Sequence, residues 1–296
     1  MMLYEFTVKV SFASLEKAIN ALNIVGVYQL YYEPPIEVIQ VQNGYDFNEV
    51  PEETIDLKIY VEETEINDLP NSYYNLICKA LQINKENIEL QLIDNPVWDG
   101  SAFEDLDLGN GWIICYSGNV DKYPNQHIIE FEPQAAFGTG LHATTRDCLR
   151  FILEQDFNDK SVLDLGTGSG LLSIAAAVKG ADKIVAVDFE PVKREVLHNL
   201  ALNDRKTWLE VDQADLINGD YQISDCYDSI IINIGADETI KIINKHHLLE
   251  KSKHFIISGI VEWNKEEVIG LFANAGYSIN KKAQSDEWLT LEFIIK

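Results

Sequence analysis

The chain has 296 residues, 46% of them hydrophobic and 24% charged, with a formal net charge of −25. Its length favours two domains with real cores, and so acidic a surface repels phosphate backbones, which argues against direct nucleic-acid binding and leaves two readings, a basic protein partner or plain solubility in a saline habitat. No apolar run reaches the roughly 18 residues of a membrane span, the start MMLYEFTVKV lacks a signal pattern, and Cys78, Cys115, Cys148 and Cys226 lie far apart, so the expectation is a cytoplasmic protein with reduced thiols and no membrane partner.

In chain order, LYEFTVKVSF alternates with period two, and Leu15, Ala18, Ile19 and Leu22 follow at helical spacing before Gly26. VYQLYYE, IEVIQVQ and DLKIYVEE read as strands, NSYYNLICKALQI as a helix and NIELQLID as a strand. The order β-α-β-β-(β)-α-β predicts a ferredoxin-like α+β domain over residues 1–93. Residues 94–131 are turn-rich and acidic and read as a linker with one short strand at WIICYS. Residues 1–130 carry 6 basic against 22 acidic side chains, the remainder 17 against 26. The excess charge therefore sits mostly N-terminally, which assigns partner recognition to the first domain.

From residue 132 the pattern changes. A loop, FEPQAAFGTGLHATT, leads into a helix, and then SVLDLG, KIVAVD, TWLEVD, DSIIIN and HFIISG form short apolar runs, four of them followed by helix-like segments. Such runs suit strands buried on both faces of a parallel sheet. YSINKKAQ and EWLTLEFIIK close the chain as a hairpin. The expected C-terminal domain, 132–296, is a Rossmann-like α/β domain with a seven-stranded sheet ending in an antiparallel hairpin.

The chemistry concentrates where the first of these strands turns into a helix. Asp164, Gly166, Gly168 and Gly170 give D-x-G-x-G-x-G. Glycines there let the backbone turn tightly and approach a ligand that a Cβ would push away. A dinucleotide fingerprint would place glycine at Leu171; the spacing found is that associated with S-adenosylmethionine, and Asp164 suits the cationic methionyl portion of that cofactor. Asp188 ends the second strand, where an acid can accept bonds from both ribose hydroxyls; the alternative is a helix N-cap. Asp215 falls where the adenine edge would lie or in a plain surface turn. Asn233, beyond the fourth strand, either turns the chain or places its amide oxygen on an amine. No His/Cys cluster has metal-ligand spacing and no Ser-His-Asp signature is present.

FEPQAAFGTGLHATTRDCL, VLDLGTGSGLLSIAAAVKGADKIVAVD, IIINIGA and ISGIVEWNKEEV together resemble the PrmA family, which methylates the large-subunit ribosomal protein eleven. The likeness covers about residues 130–296. It implies a class I S-adenosylmethionine-dependent N-methyltransferase acting on lysine or N-terminal amines of a ribosomal protein. Thr144 and Thr145 would line the methionyl side, Phe137 and Gly138 would cover it, Gly166 and Gly168 would touch the cofactor through backbone, Asp188 would hold the ribose, and Asn233 would sit beside the transferred methyl. Capping of the following helix is the other role open to the two threonines, and His142 reads as a scaffold residue before a base. The chain departs from the family in its acidic linker, in EPQ where a glycine usually follows the proline, and in NIGA. The alternatives left open are methylation of another protein or a small molecule, or a catalytically silent cofactor-binding protein.

Overall fold

The computed structural model describes residues 2–33, 36–49, 54–62, 70–94, 103–116, 118, 120–134, 136 and 138–295. The chain divides into two compact units, one of residues 1–40 and 45–102, the other of 41–44 and 103–296.

The first unit is built from β1 (Met2–Ser11), α1 (Leu15–Ile24), β2 (Leu30–Tyr31), β3 (Ile36–Val41), β4 (Gly44–Glu49), β5 (Thr54–Glu62), α2 (Asn71–Leu81) and β6 (Ile88–Asp94). Its four-stranded sheet has the order β2-β5-β1-β6, each neighbouring pair antiparallel, and β3-β4 form a separate two-stranded sheet. Period-two alternation sends Phe6, Val8, Leu57 and Ile59 to one face, where Leu22 of α1 and Ile77 of α2 complete a dry core. Phe6 stacks on Tyr73 and meets Tyr74 edge-on, with centroids 6.1 and 5.2 Å apart.

The second unit begins with β7 (Leu106–Asp107), β8 (Trp112–Cys115) and β9 (His127–Glu130), a three-stranded sheet in that order. Residues 103–131, which the sequence presents as linker, thus fold as part of this unit. Ile114, Tyr116, Ile129 and Phe131 are buried in the same cluster as the helices that follow. β8 is the short strand expected at WIICYS, while β7 and β9, two and four residues long, carry too little periodicity to show in sequence.

Then come α3 (Ala143–Leu153), β10 (Ser161–Leu165), α4 (Leu171–Val178), β11 (Lys183–Asp188), α5 (Lys193–Leu202), β12 (Trp208–Gln213), β13 (Ser229–Asn233), α6 (Ala236–His246), β14 (His254–Val261), α7 (Lys265–Asn274), β15 (Tyr277–Ser285) and β16 (Trp288–Ile295). The seven-stranded sheet has the order β12-β11-β10-β13-β14-β16-β15; the first five strands are parallel, and β16 runs antiparallel to both β14 and β15, closing the chain in the antiparallel hairpin that the sequence predicts. Both faces are covered. Val162, Ile184, Ile231 and Ile256 pack against α3 and α4, while Leu163, Val185, Ile230 and Phe255 pack against α6 and α7. The run LLSIAAAV is buried throughout α4, and its small alanines let neighbouring elements approach closely. Strand order reverses between β10 and β13, and a crevice opens at the carboxyl ends of such strands in open α/β sheets.

Candidate active site

Glycine builds the floor of that crevice. The turn between β10 and α4 has Gly166, Gly168 and Gly170 at φ 72°, 54° and 79°, a region other residues enter at a cost of about 1–3 kcal/mol. A Cβ on Gly166 would stand 2.6 Å from Cγ2 of Ile234, and one on Gly170 would stand 2.6 Å from Cγ1 of Val196. The first glycine lets the turn lie against the β13–α6 junction; the third lets α4 start against α5.

Beneath the turn lies Asp164, 1% exposed. Its Oδ2 accepts hydrogen bonds from the hydroxyls of Ser173 at 2.6 Å and Thr167 at 2.7 Å. Burial lifts its pKa from 3.8 to about 6, and the two hydroxyl bonds oppose that rise. The carboxyl therefore shapes the turn from below.

Asp188, at the end of β11, ties the turn to the next strand. Its Oδ2 accepts the Gly168 N–H at 2.7 Å and its Oδ1 accepts the Glu190 N–H at 2.9 Å. The helix α5 has Val192 at its N-cap position, so Asp188 does not cap it. Each carboxylate oxygen keeps a free lone-pair direction for a diol.

Asp188 faces a cavity of about 1010 Å³, lined also by Gly166, Gly168, Asp215 and Asn233. Five of the sites marked in the sequence thus meet around one space. Asp215 combines both roles open to it: it lines the cavity and also makes a turn, its Oδ1 accepting the N–H of Ile217 and of Asn218 at 2.9 and 2.8 Å. Those backbone bonds hold its pKa below the ordinary value. Asn233 donates its side-chain N–H to Oγ1 of Thr145 at 3.4 Å, which leaves its amide oxygen for the cavity.

The other described residues marked in the sequence do not line the cavity. Thr144 and Thr145 are buried in the first turn of α3, and His142 is the N-cap, its ring nitrogen accepting the Thr144 N–H. Burial, and then the Arg146 charge, depresses the pKa of His142 and favours the neutral, accepting ring. Gly138 is pinned through its carbonyl by the Ser169 hydroxyl at 3.0 Å, and the next residue, Thr139, by the Tyr116 hydroxyl at 2.6 Å. Gly170 lies at the α4 N-terminus. Phe137 lies outside the described residues.

Sequence reasoning missed the apolar side of the cavity. Phe189 is 66% exposed, although its neighbour in sequence is a buried strand, and it lines the cavity with Ala214, Leu216 and Ile217. A large exposed ring beside an acid suits a flat heteroaromatic ligand. The only signal was a lone Phe between Asp188 and Glu190. The charged lining comprises the carboxylates of Asp188, Glu190, Glu195, Asp215 and Glu238 against one guanidinium, Arg194. Such a lining repels a pyrophosphate and attracts a cation. A nucleoside carrying a sulfonium matches the acid, the exposed ring and the negative field together.

Comparison with known proteins decides the family. The family described as ribosomal protein L11 methyltransferase (PrmA) matches residues 3–295. The chain belongs to the PrmA family. Among PrmA relatives, the ribosomal protein L11 methyltransferase of Bacillus subtilis (strain 168) is 27% identical, with 97% of each chain covered. That of Fusobacterium nucleatum subsp. nucleatum is 34% identical over 58% of this chain and 56% of its own. The crystal structure of ribosomal protein L11 methylase from Lactobacillus delbrueckii subsp. bulgaricus superposes with a TM-score of 0.54 at 26% identity, covering 66% of this chain and all of its own. As a PrmA member the chain is a methyltransferase of Rossmann-like fold that uses S-adenosylmethionine.

Proposed function

We propose that this chain transfers methyl groups from S-adenosylmethionine to lysine or N-terminal amines of ribosomal protein L11, in the cytoplasm, with Asp188 on the ribose and Asn233 beside the reacting centre. The observation that carries the site assignment is the meeting of Gly166, Gly168, Asp188, Asp215 and Asn233 around one carboxylate-lined cavity at the sheet's switch point. The family and its relatives' names supply the substrate.

The cofactor contributes an electrophilic methyl on a sulfonium. The chain's own task is positioning, an effect able to supply roughly 7–11 kcal/mol when the reacting atoms are held in line. Backbone at Gly166 and Gly168 bounds one side, Asp188 fixes the sugar end, and the Asn233 amide oxygen accepts a hydrogen bond from the incoming amine. A lysine ammonium must first lose a proton, which costs roughly 4–5 kcal/mol at pH 7 from a reference pKa near 10.4. A cationic neighbour and partial burial both lower that pKa, so water suffices as the acceptor. Asn233 orients the neutral amine and takes no proton.

The first unit is proposed to bind the substrate. Tyr28, Val38 and Phe47 there are 73%, 63% and 58% exposed amid a strongly acidic sequence. Exposed apolar side chains in so acidic a sequence suit a basic protein partner. Among the described residues, no helix is long and apolar enough to cross a membrane.

The deciding experiment incubates the protein with ribosomal proteins and isotope-labelled cofactor and reads the products by mass spectrometry. Label on amines of ribosomal protein L11 is the expected result. Label confined to another protein, or to free amines, would reassign the substrate while leaving the cofactor site in place.

A further inference from the structure

One polar ridge on α5 is not accounted for by the cofactor or the substrate. Glu195, Asn199 and Asn203 stand at i, i+4 and i+8, on one face of the helix and its C-cap. Asn199 is fully buried and Glu195 is 7% exposed. Buried polar side chains on a surface helix are unusual and must find partners.

Their partners are all backbone. Asn203 accepts the Glu130 N–H at 3.0 Å and donates to the Glu130 carbonyl at 2.8 Å. Asn199 does the same for Glu132, at 2.7 and 3.1 Å. Glu195, an acceptor only, takes the Gln134 N–H at 3.2 Å on one oxygen and the Ala136 N–H at 3.3 Å on the other. Residues of even number thus face α5, while on the opposite side the Phe131 N–H goes to the Cys115 carbonyl of β8 at 3.0 Å. The match is geometric. Four residues of helix rise about 6 Å, and two residues of extended chain rise about 6.6 Å. A ridge with period four therefore runs in step with alternate residues 130, 132, 134 and 136, and each asparagine offers the donor and acceptor that a neighbouring strand would.

The segment so held reaches the cavity, because Gln134 and Ala136 form part of its wall. The same helix follows directly on the turn that carries Asp188 and Phe189. We propose that Glu195, Asn199 and Asn203 are positioning residues, which hold Glu130, Glu132, Gln134 and Ala136 in step with α5 so that the cofactor meets a finished wall. The proposal rests on the cavity being the cofactor site. Without the ridge, the segment would sample other positions, and binding would bear the cost of ordering it.

The test uses the full-length chain and S-adenosylhomocysteine as the titrant, followed by calorimetry. Asn199 and Asn203 do not line the cavity, so an effect of either on affinity is indirect, and hydrogen exchange tells whether it travels through the segment or through α5 itself. Asn199→Ala and Asn203→Ala should each raise the Kd about tenfold, with faster hydrogen exchange at the amides of Glu130, Glu132, Gln134 and Ala136. At saturating cofactor kcat should stay within about twofold, so that the loss falls on the cofactor KM. Glu195→Gln, which keeps one acceptor oxygen, should lie between wild type and Glu195→Ala. If Asn199→Ala fails to fold, the half-exposed Asn203→Ala carries the test. Faster exchange or a lower Tm with unchanged Kd would overturn the proposal and leave the ridge a purely structural seam. A wild-type chain that bound no titrant would overturn the cofactor site and the proposal together.

Discussion

At the scale of single residues, Asp188 does two jobs with one carboxylate. It organises the glycine turn through the Gly168 N–H and the following turn through the Glu190 N–H, and it faces the cavity. Hydrogen bonds to a charged group are worth about 1.5–3 kcal/mol each. Asp188→Ala should therefore weaken cofactor binding by at least about 100-fold, measured by calorimetry, and Asp188→Asn should fall between. Asp164 makes the opposite kind of prediction. Its pKa in the fold is raised from 3.8 to about 6, so the stability it contributes is full below pH 4 and is lost as pH rises through 6. Relative to wild type, Asp164→Asn should gain about 3 kcal/mol between pH 4 and pH 7 and change little above that. Chemical denaturation at several pH values would show this. A flat difference would mean that the carboxyl is not desolvated. Asp188 was legible in the sequence because an acid ending an apolar strand has few structural excuses. The burial of Asp164 was not, because it depends on Thr167 and Ser173 folding over it, and the same is true of the pairing between Asn233 and Thr145.

At the scale of elements, the junction of β10 and α4 shows how spacing becomes geometry. The glycine turn, the strands and the terminal hairpin could all be read from runs and breaks, since a sheet buried on both faces leaves an apolar signature on every strand. Side-chain closeness between elements could not. Gly170 is a glycine both because its φ is 79° and because Val196 stands over it. Gly170→Ala should lower stability by about 2–3 kcal/mol. Adding Val196→Ala should recover only part of the loss, because the backbone strain persists after the clash is gone; thermal denaturation of the single and double variants would measure both. The α5 ridge was invisible for a related reason. E-x-x-x-N-x-x-x-N reads as an ordinary wet helix face until the segment it pairs with is in place.

For the molecule as a whole, charge is the dominant property. A net −25 stores self-repulsion in the compact state and draws in basic partners. Raising salt from roughly 50 mM to roughly 500 mM shortens the Debye length from about 14 to about 4 Å. The Tm should then rise, while the KM for a basic protein substrate should increase several-fold; a substrate KM indifferent to salt would remove electrostatic steering from the account. Acid sensitivity has a local source as well. Burial alone would raise the pKa of Glu292, yet hydrogen bonds from His254 at 2.9 Å and Asn280 at 2.5 Å hold it below its ordinary value. Its contribution is therefore present above pH 4.5 and fades as pH falls through the depressed value.

The small sheet of β7, β8 and β9 has a practical consequence. Anyone excising a catalytic fragment at residue 132, where the glycine-rich loop region begins, would strip away Ile114, Tyr116 and Ile129 and lay bare the side of α3 and α4 that they cover. The truncated piece would also lose the Tyr116 hydroxyl that clasps Thr139. A cut near Phe103 keeps that cover, so the boundary a protein engineer needs lies some thirty residues upstream of the motif that draws the eye.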